Sequence, residues 1–188
     1  MQKRVFLSAV ALAAASVVTS VQAQDTFKIG LILPMTGPFA STGKQIEAAA
    51  RLYMAQNGTT VAGKKVELIL KDDTAAPDVT KRLAQELVVN EKVNVLAGFG
   101  LTPLALSTAP IATQSKTPLV VMAAATSSIT QASPFVIRTS FALPQAAVAL
   151  GDWAPKANIK RVVSLVTDYG PGIDAEKYFK DRFTFNGG

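Results

Sequence analysis

The groups in this chain able to do chemistry are hydroxyls, small-residue backbone and a pair of aspartates, because the sequence holds neither cysteine nor histidine. That excludes thiol nucleophiles, imidazole bases, Ser-His-Asp triads, disulfide frameworks and the common zinc sites. Three segments concentrate Gly, Ala, Ser and Thr: Pro34 to Gly43 (PMTGPFASTG), Gly98 to Thr102 (GFGLT) and Ala123 to Ser128 (AAATSS). Such segments let backbone N–H groups approach a ligand and supply hydroxyls, which suits a carboxylate or another small anion at a helix N-terminus. Thr102 reads there as a ligand hydroxyl or as a plain helix cap, and Ala123 to Ser128 as a contact loop or a tight connection.

Other motifs are weaker. Gly98-Phe99-Gly100 opens like a dinucleotide fingerprint, but Pro103 stands where the third glycine belongs, and no Walker lysine pattern occurs. Asp72-Asp73 closes an apolar run and could hold Mg²⁺. Consecutive carboxylates point in different directions, however, which favours a solvated strand end or a helix cap. Asp168 and Tyr169 sit at another strand end, as ligand contact or ordinary turn. Trp153 reads as a packing aromatic.

The elements that must position these groups alternate β-branched runs with helix-period stretches, the pattern of βαβ units on a parallel sheet. Strands are expected at Phe27 to Leu33, Lys65 to Lys71, Val93 to Ala97, Leu119 to Met122, Phe135 to Thr139 and Val162 to Val166. Helices are expected at Gln45 to Gln56, with Ile46, Ala49, Ala50 and Tyr53 on one face, and at Pro77 to Asn90, with Val79, Leu83 and Leu87 facing the sheet. Three more follow: one capped by Thr102 with Pro103 at the first helical position and reaching Gln114, one from Pro144 stopped by Pro155, and one from Ile173 to Phe185. In such sheets ligands bind beyond the carboxyl ends of the strands, where the small-residue loops fall.

With 188 residues, 49% hydrophobic and 17% charged, the chain can bury a core and is not disordered. Met1 to Ala23 reads as a secretory signal: Lys3 and Arg4 precede a Val/Ala/Leu run that ends in the small-residue site Val21-Gln22-Ala23. The run falls short of the roughly 20 residues of a spanning helix, and no cysteine offers a lipid anchor. Removing Lys3 and Arg4 lowers the net charge from +6 to +4. The remaining basic residues are scattered and cluster no further than the pairs Lys64-Lys65, Lys81-Arg82 and Lys160-Arg161, which argues against nucleic acid as a partner.

Taken in order, KIGLILPMTGPFASTGKQ (Lys28 to Gln45), VELILKDD (Val66 to Asp73), GFGLTPLALSTAPIA (Gly98 to Ala112), TPLVVMAAATSSIT (Thr117 to Thr130), FVIRTSF (Phe135 to Phe141) and TDYGPG (Thr167 to Gly172) resemble the branched-chain amino-acid-type periplasmic substrate-binding proteins of ABC transporters. The resemblance implies an α/β fold of the type I periplasmic-binding kind, a three-layer sandwich on a parallel sheet. The first lobe, Gln24 to Ser140, would be nearly complete, and the second, Phe141 to Gly188, truncated. It implies a non-catalytic protein without cofactor or metal. Such a protein closes two lobes over a small ligand (an amino acid, an amide, or an aromatic or aliphatic carboxylate) and delivers it to an inner-membrane permease. A periplasmic location and a monomeric full-length protein go with it. By likeness of position, Thr102, with Leu101 beside it, holds the ligand carboxylate. Ala124 and Thr126 contact carboxylate and amine, Tyr169 closes down from the second lobe, and Phe39 and Thr42 wall the side-chain pocket. Some members carry a large aromatic where this chain has Thr42, which leaves the pocket size open.

Two other readings remain at this stage: a periplasmic sensor of the same fold reporting a small amide or acid to a receptor, and a metal-dependent enzyme using Asp72 or Asp73. One strand cannot build a sheet. Ending at Gly188, the second part is therefore expected to leave sheet edges and apolar helix faces uncovered.

Overall fold

The computed structural model describes residues 25–188, so the expected leader at Met1 to Ala23 lies outside the described residues. The elements are β1 (Thr26–Leu33), α1 (Ala40–Asn57), β2 (Thr60–Val61), β3 (Lys64–Asp72), α2 (Pro77–Val89), β4 (Val95–Gly98), α3 (Thr102–Ser115), β5 (Leu119–Val121), a 3-10 turn (Ser127–Gln131), β6 (Val136–Arg138), α4 (Leu143–Lys156) and α5 (Gly170–Phe185). Six strands form one sheet in the order β2-β3-β1-β4-β5-β6. All neighbours run parallel except the short β2–β3 hairpin.

The β-branched and leucine-rich runs explain this sheet. β1 pairs on both sides, with β3 and with β4, so its last four residues are all buried. Ile32 faces the larger core, where Leu83, Leu87, Leu96, Phe99, Leu104 and Ile129 pack beneath α2 and α3. Leu31 and Leu33 face the other side, with Met35, Ile46 and Leu70 under α1. Helices on both faces of a mostly parallel sheet make three layers. Burying each such leucine contributes about 1.5–3 kcal/mol, so the strands with two covered faces anchor the loops that leave their ends.

α2 matches its expected face, with Leu83 and Leu87 buried and Val79 packed against them. Other expectations need correction. α1 begins at Ala40, inside the segment read as a loop. Of its expected inward face Ile46 and Ala50 are half-buried, but Ala49 and Tyr53 are exposed. α3 begins at Thr102 itself, with Leu101 at the cap position, so Thr102 is not the N-cap; its hydroxyl is turned to Thr126 instead. α4 runs through Pro155 to Lys156. The proline cannot donate to the carbonyl four residues back, that of Gly151, and the Asn186 Nδ2 donates to it at 3.3 Å. Trp153 is exposed on that helix rather than packed.

The expected strand Val162 to Val166 does not form. A strand needs a neighbour to take its backbone N–H and C=O groups, and among the described residues none lies beside this segment. Val163 and Leu165 are 96% and 99% exposed. The segment borders an apolar groove of about 330 Å³ with α4 and α5, whose walls include Leu143, Ala147, Leu150 and Phe179. The two helices hold each other through Arg182 Nε, which donates to Asp152 Oδ1 at 2.5 Å, and Asn186 Nδ2, which donates to the same oxygen at 2.8 Å.

Candidate functional site

β1 connects outward to β3 on one side, and β4 lies on its other side, so the strand order reverses between β1 and β4. A crevice opens beyond the carboxyl ends of strands at such a switch point. Two of the small-residue segments leave the sheet there, after Leu33 and after Gly98, and the third leaves the end of β5 next to them.

Backbone geometry shapes the turn after β4. Gly98 has φ +116°, and a Cβ there would strike the Ile32 carbonyl of β1. Only glycine lets the two strands end this close together. Phe99 follows at φ +65°, an unfavourable region for a residue with a side chain. Its ring is wholly buried, a gain of about 1.5–3 kcal/mol that offsets the strain. Phe99 N donates to the Ile32 carbonyl at 3.0 Å, and the Phe99 carbonyl accepts from Ala124 N at 3.0 Å. The turn after β4 is thereby tied to the loop after β5.

Thr102 and Thr126 meet at the centre. Their Oγ1 atoms are 2.7 Å apart, and the residues are 5% and 6% exposed. Thr102 is the first residue of α3, where the helix carries partial positive charge. Leu101 packs against the core and supplies the carbonyl that accepts from Leu104 and Ala105 N. Ala124 is buried, and since its N–H is spent on Phe99, its carbonyl is the polar group it keeps for other partners. Phe39 caps α1, exposed, its carbonyl accepting from Thr42 N at 3.1 Å; Thr42 is half-buried in the first turn.

Asp72 holds the first loop in place. Its carboxylate accepts from Met35 N at 2.9 Å, Thr36 Oγ1 at 2.7 Å and Thr74 N at 2.9 Å. Burial raises its pKa, but these bonds outweigh that and hold it below the usual carboxylate range. Asp73 is fully buried; burial pushes its pKa up, against the lowering bond from Ala75 N at 2.9 Å. Its Oδ2 has no hydrogen-bond partner among the described residues. The neighbours therefore face different surroundings and do not act as one chelating pair, and no group of three or more Asp and Glu suited to a metal ion occurs among the described residues.

Tyr169 caps α5 in extended conformation, partly exposed, after the turn that begins at Thr167. Among the described residues its side chain makes no hydrogen bond to the Thr102–Thr126 pair, whereas its neighbour Gly170 packs directly on Thr126. Residues the sequence did not single out connect α5, β6 and α4 to the loop after β5. Asp174 Oδ2 accepts from Ser127 N at 2.6 Å, Arg138 Nη2 donates to the Thr126 carbonyl at 2.6 Å, and Leu143 N donates to the Ala125 carbonyl at 3.0 Å. Burial lowers the Arg138 pKa, and the Asp174 charge opposes it. The one sequence signal was a lone arginine at the end of an otherwise apolar strand, Phe135 to Arg138.

A three-layer α/β unit whose hydroxyl-bearing loops converge at a switch point defines a small-molecule binding lobe. The family model described as "Periplasmic binding protein" matches residues 26–188, and the chain belongs to that family, in its type I, branched-chain amino-acid form. It is 47% identical over 179 residues to Leu/Ile/Val-binding protein homolog 6 of Brucella abortus (strain 2308), an alignment covering 95% of this chain and 46% of that protein. A solute-binding protein of an ABC transporter from Rhodopseudomonas palustris BisB5, solved with 3,4-dihydroxybenzoic acid, is 63% identical at a TM-score of 0.86, over 87% of this chain and 45% of that one. The leucine-binding protein LivK of Thermotoga maritima MSB8 is 32% identical at a TM-score of 0.77, over 87% and 47%. The chain thus spans about half the length of these relatives, which are binding proteins rather than enzymes.

Proposed function

We propose that this protein is the solute-binding component of an ABC importer, and that its cargo is an aromatic carboxylate of the hydroxybenzoate class. The carrying observation is the buried Thr102–Thr126 hydroxyl pair at the start of α3. Two hydroxyls bonded to each other keep one O–H to donate, and the helix end adds partial positive charge, so a carboxylate is stabilised without a full countercharge. The cargo class is supported by the 63% identical relative solved with 3,4-dihydroxybenzoic acid and by a 44% identical R. palustris protein solved with 4-hydroxybenzoate. Leu101 and Ala124 line the pocket beside the threonines, Phe39 and Thr42 wall its far side, and Tyr169 closes from a second lobe that begins near Phe141. The Met1 to Ala23 leader directs export to the periplasm, where an inner-membrane permease reads the closed form.

A branched-chain amino acid is the second reading, favoured by the naming of the 47% identical relatives. A thermal-shift screen of the full-length protein without its leader separates the two. A ligand at 100 times its Kd adds about 2.7 kcal/mol of stability. A shift with hydroxybenzoates and none with leucine, isoleucine or valine is expected; the reverse result overturns the cargo assignment.

A further inference from the structure

The peptide group joining Thr126 to Ser127 is gripped at both ends. Its oxygen accepts from Arg138 Nη2 at 2.6 Å, and its N–H donates to Asp174 Oδ2 at 2.6 Å. Arg138 ends β6 in the sheet unit, whereas Asp174 lies near the start of α5, 36 residues later. The carbonyl and N–H of a trans peptide point in opposite directions, so the cation and the carboxylate approach from opposite sides. We infer that Arg138 and Asp174 form an ion pair bridged by the Thr126–Ser127 peptide, and that through it the second lobe positions the Thr126 hydroxyl for ligand capture. This rests on the binding-protein reading and adds to it two positioning residues that need not touch the ligand.

Three observations carry it. Both hydrogen bonds involve a charged partner, and charge-assisted bonds are about twice as strong as neutral ones. A peptide polarised at its oxygen by a cation becomes a better donor at its N–H, so each bond strengthens the other. Arg138 Nε and Nη1 are buried without hydrogen-bond partners among the described residues, so the guanidinium is held through Nη2 on the Thr126 carbonyl. The carbonyl and hydroxyl of Thr126 belong to one residue, so displacing the Thr126–Ser127 segment carries the Cα and Oγ1 of Thr126 with it and changes the 2.7 Å contact with Thr102. The approach of α5 is also close: a side chain at Gly170 would collide with Thr126.

The test uses full-length protein with donor and acceptor dyes on the two lobes, and compares Asp174→Asn, Arg138→Gln and the double variant. Asparagine keeps the acceptor shape of Asp174 and removes only its charge. In ligand-free protein each single variant is expected to lengthen the mean interlobe distance. With bound 3,4-dihydroxybenzoate, each raises the dissociation rate about tenfold while the association rate stays within about twofold. The double variant is no worse than the stronger single, because both residues act through one peptide. An unchanged ligand-free distance, an unchanged dissociation rate, or single effects that multiply in the double variant would each overturn the bridge. If wild-type protein binds none of the hydroxybenzoates, the cargo assignment fails, and the ligand-free distances still decide the bridge. Should Arg138→Gln not fold, Arg138→Lys replaces it, keeping the charge and losing the planar fork.

Discussion

Thr102 and Thr126 stand hydroxyl to hydroxyl at 2.7 Å although 24 residues and two strand ends separate them. One comes from the helix that follows β4 and the other from the loop that follows β5. They meet because β4 and β5 are adjacent and in register, with Gly98 opposite Val121. The pair therefore depends on sheet order as much as on either residue.

Replacing Thr102 or Thr126 by Val keeps the shape, removes one hydroxyl and leaves the other without its partner. A hydrogen bond to a charged group is worth about 1.5–3 kcal/mol, so each change should weaken carboxylate binding roughly 10- to 100-fold. Serine at the same position should restore most of it. Titration calorimetry on the full-length protein reads both, and an unchanged Kd in Thr102→Val would place the carboxylate elsewhere.

Gly170→Ala puts a methyl group against Thr126 Oγ1 and Cγ2. Overpacking of this kind costs about 1–3 kcal/mol, and here it pushes α5 off the loop after β5. Ligand affinity should fall more than the melting temperature of the unliganded protein does. Equal losses in the two would mean that α5 matters only for folding.

Asp72 and Asp73 should bend the pH dependence of stability in opposite directions. Asp73 has a raised pKa, so in the window between the ordinary carboxylate value and its raised one the native state holds more protons than the unfolded state. Its contribution is complete below that window and is lost as pH rises through it. Asp72 has a lowered pKa, so its contribution is present above the ordinary value and is lost as pH falls through the lowered one. Urea unfolding across pH 3–7 should show Asp73→Asn removing a downward slope and Asp72→Asn removing an upward one, each at most about 1.4 kcal/mol per pH unit. Equal slopes in wild type and both variants would contradict these environments.

Val163 and Leu165 project almost fully into water beside the apolar groove between α4 and α5. Exposed apolar segments of high β-propensity promote association. The 188-residue chain should self-associate, and the double change Val163→Ser, Leu165→Ser should shift its sedimentation toward monomer. An unaltered distribution would show that this surface is not the one that associates.

Much of the sheet unit was legible in the sequence, because buried parallel strands and amphipathic helices write themselves as apolar runs and periods. Leu83 and Leu87 on α2 lie where the four-residue spacing puts them. The face of α1 was half legible: of the four residues expected on it, Ile46 and Ala50 are half-buried, whereas Ala49 and Tyr53 fit the period and are exposed. Val162 to Val166 had the composition of a strand, but a strand is a pairing, and the segment finds no partner among the described residues. The helix start at Thr102 was off by one residue, since a threonine before a proline satisfies a cap and a first turn equally well.

By itself the sequence determined the chemistry available: no thiol or imidazole, hydroxyls and glycines grouped in three segments, and strands apolar enough to bury both faces. Local periodicity and composition carry that information, and each is set by residues a few positions apart. Tertiary structure alone decided which hydroxyls meet, that Asp72 ties down the first loop while Asp73 is buried, and that Arg138 and Asp174 hold one peptide between them. Those relationships join residues up to 47 positions apart. They arise from strand order and the path of the crossover helices, which no local pattern encodes.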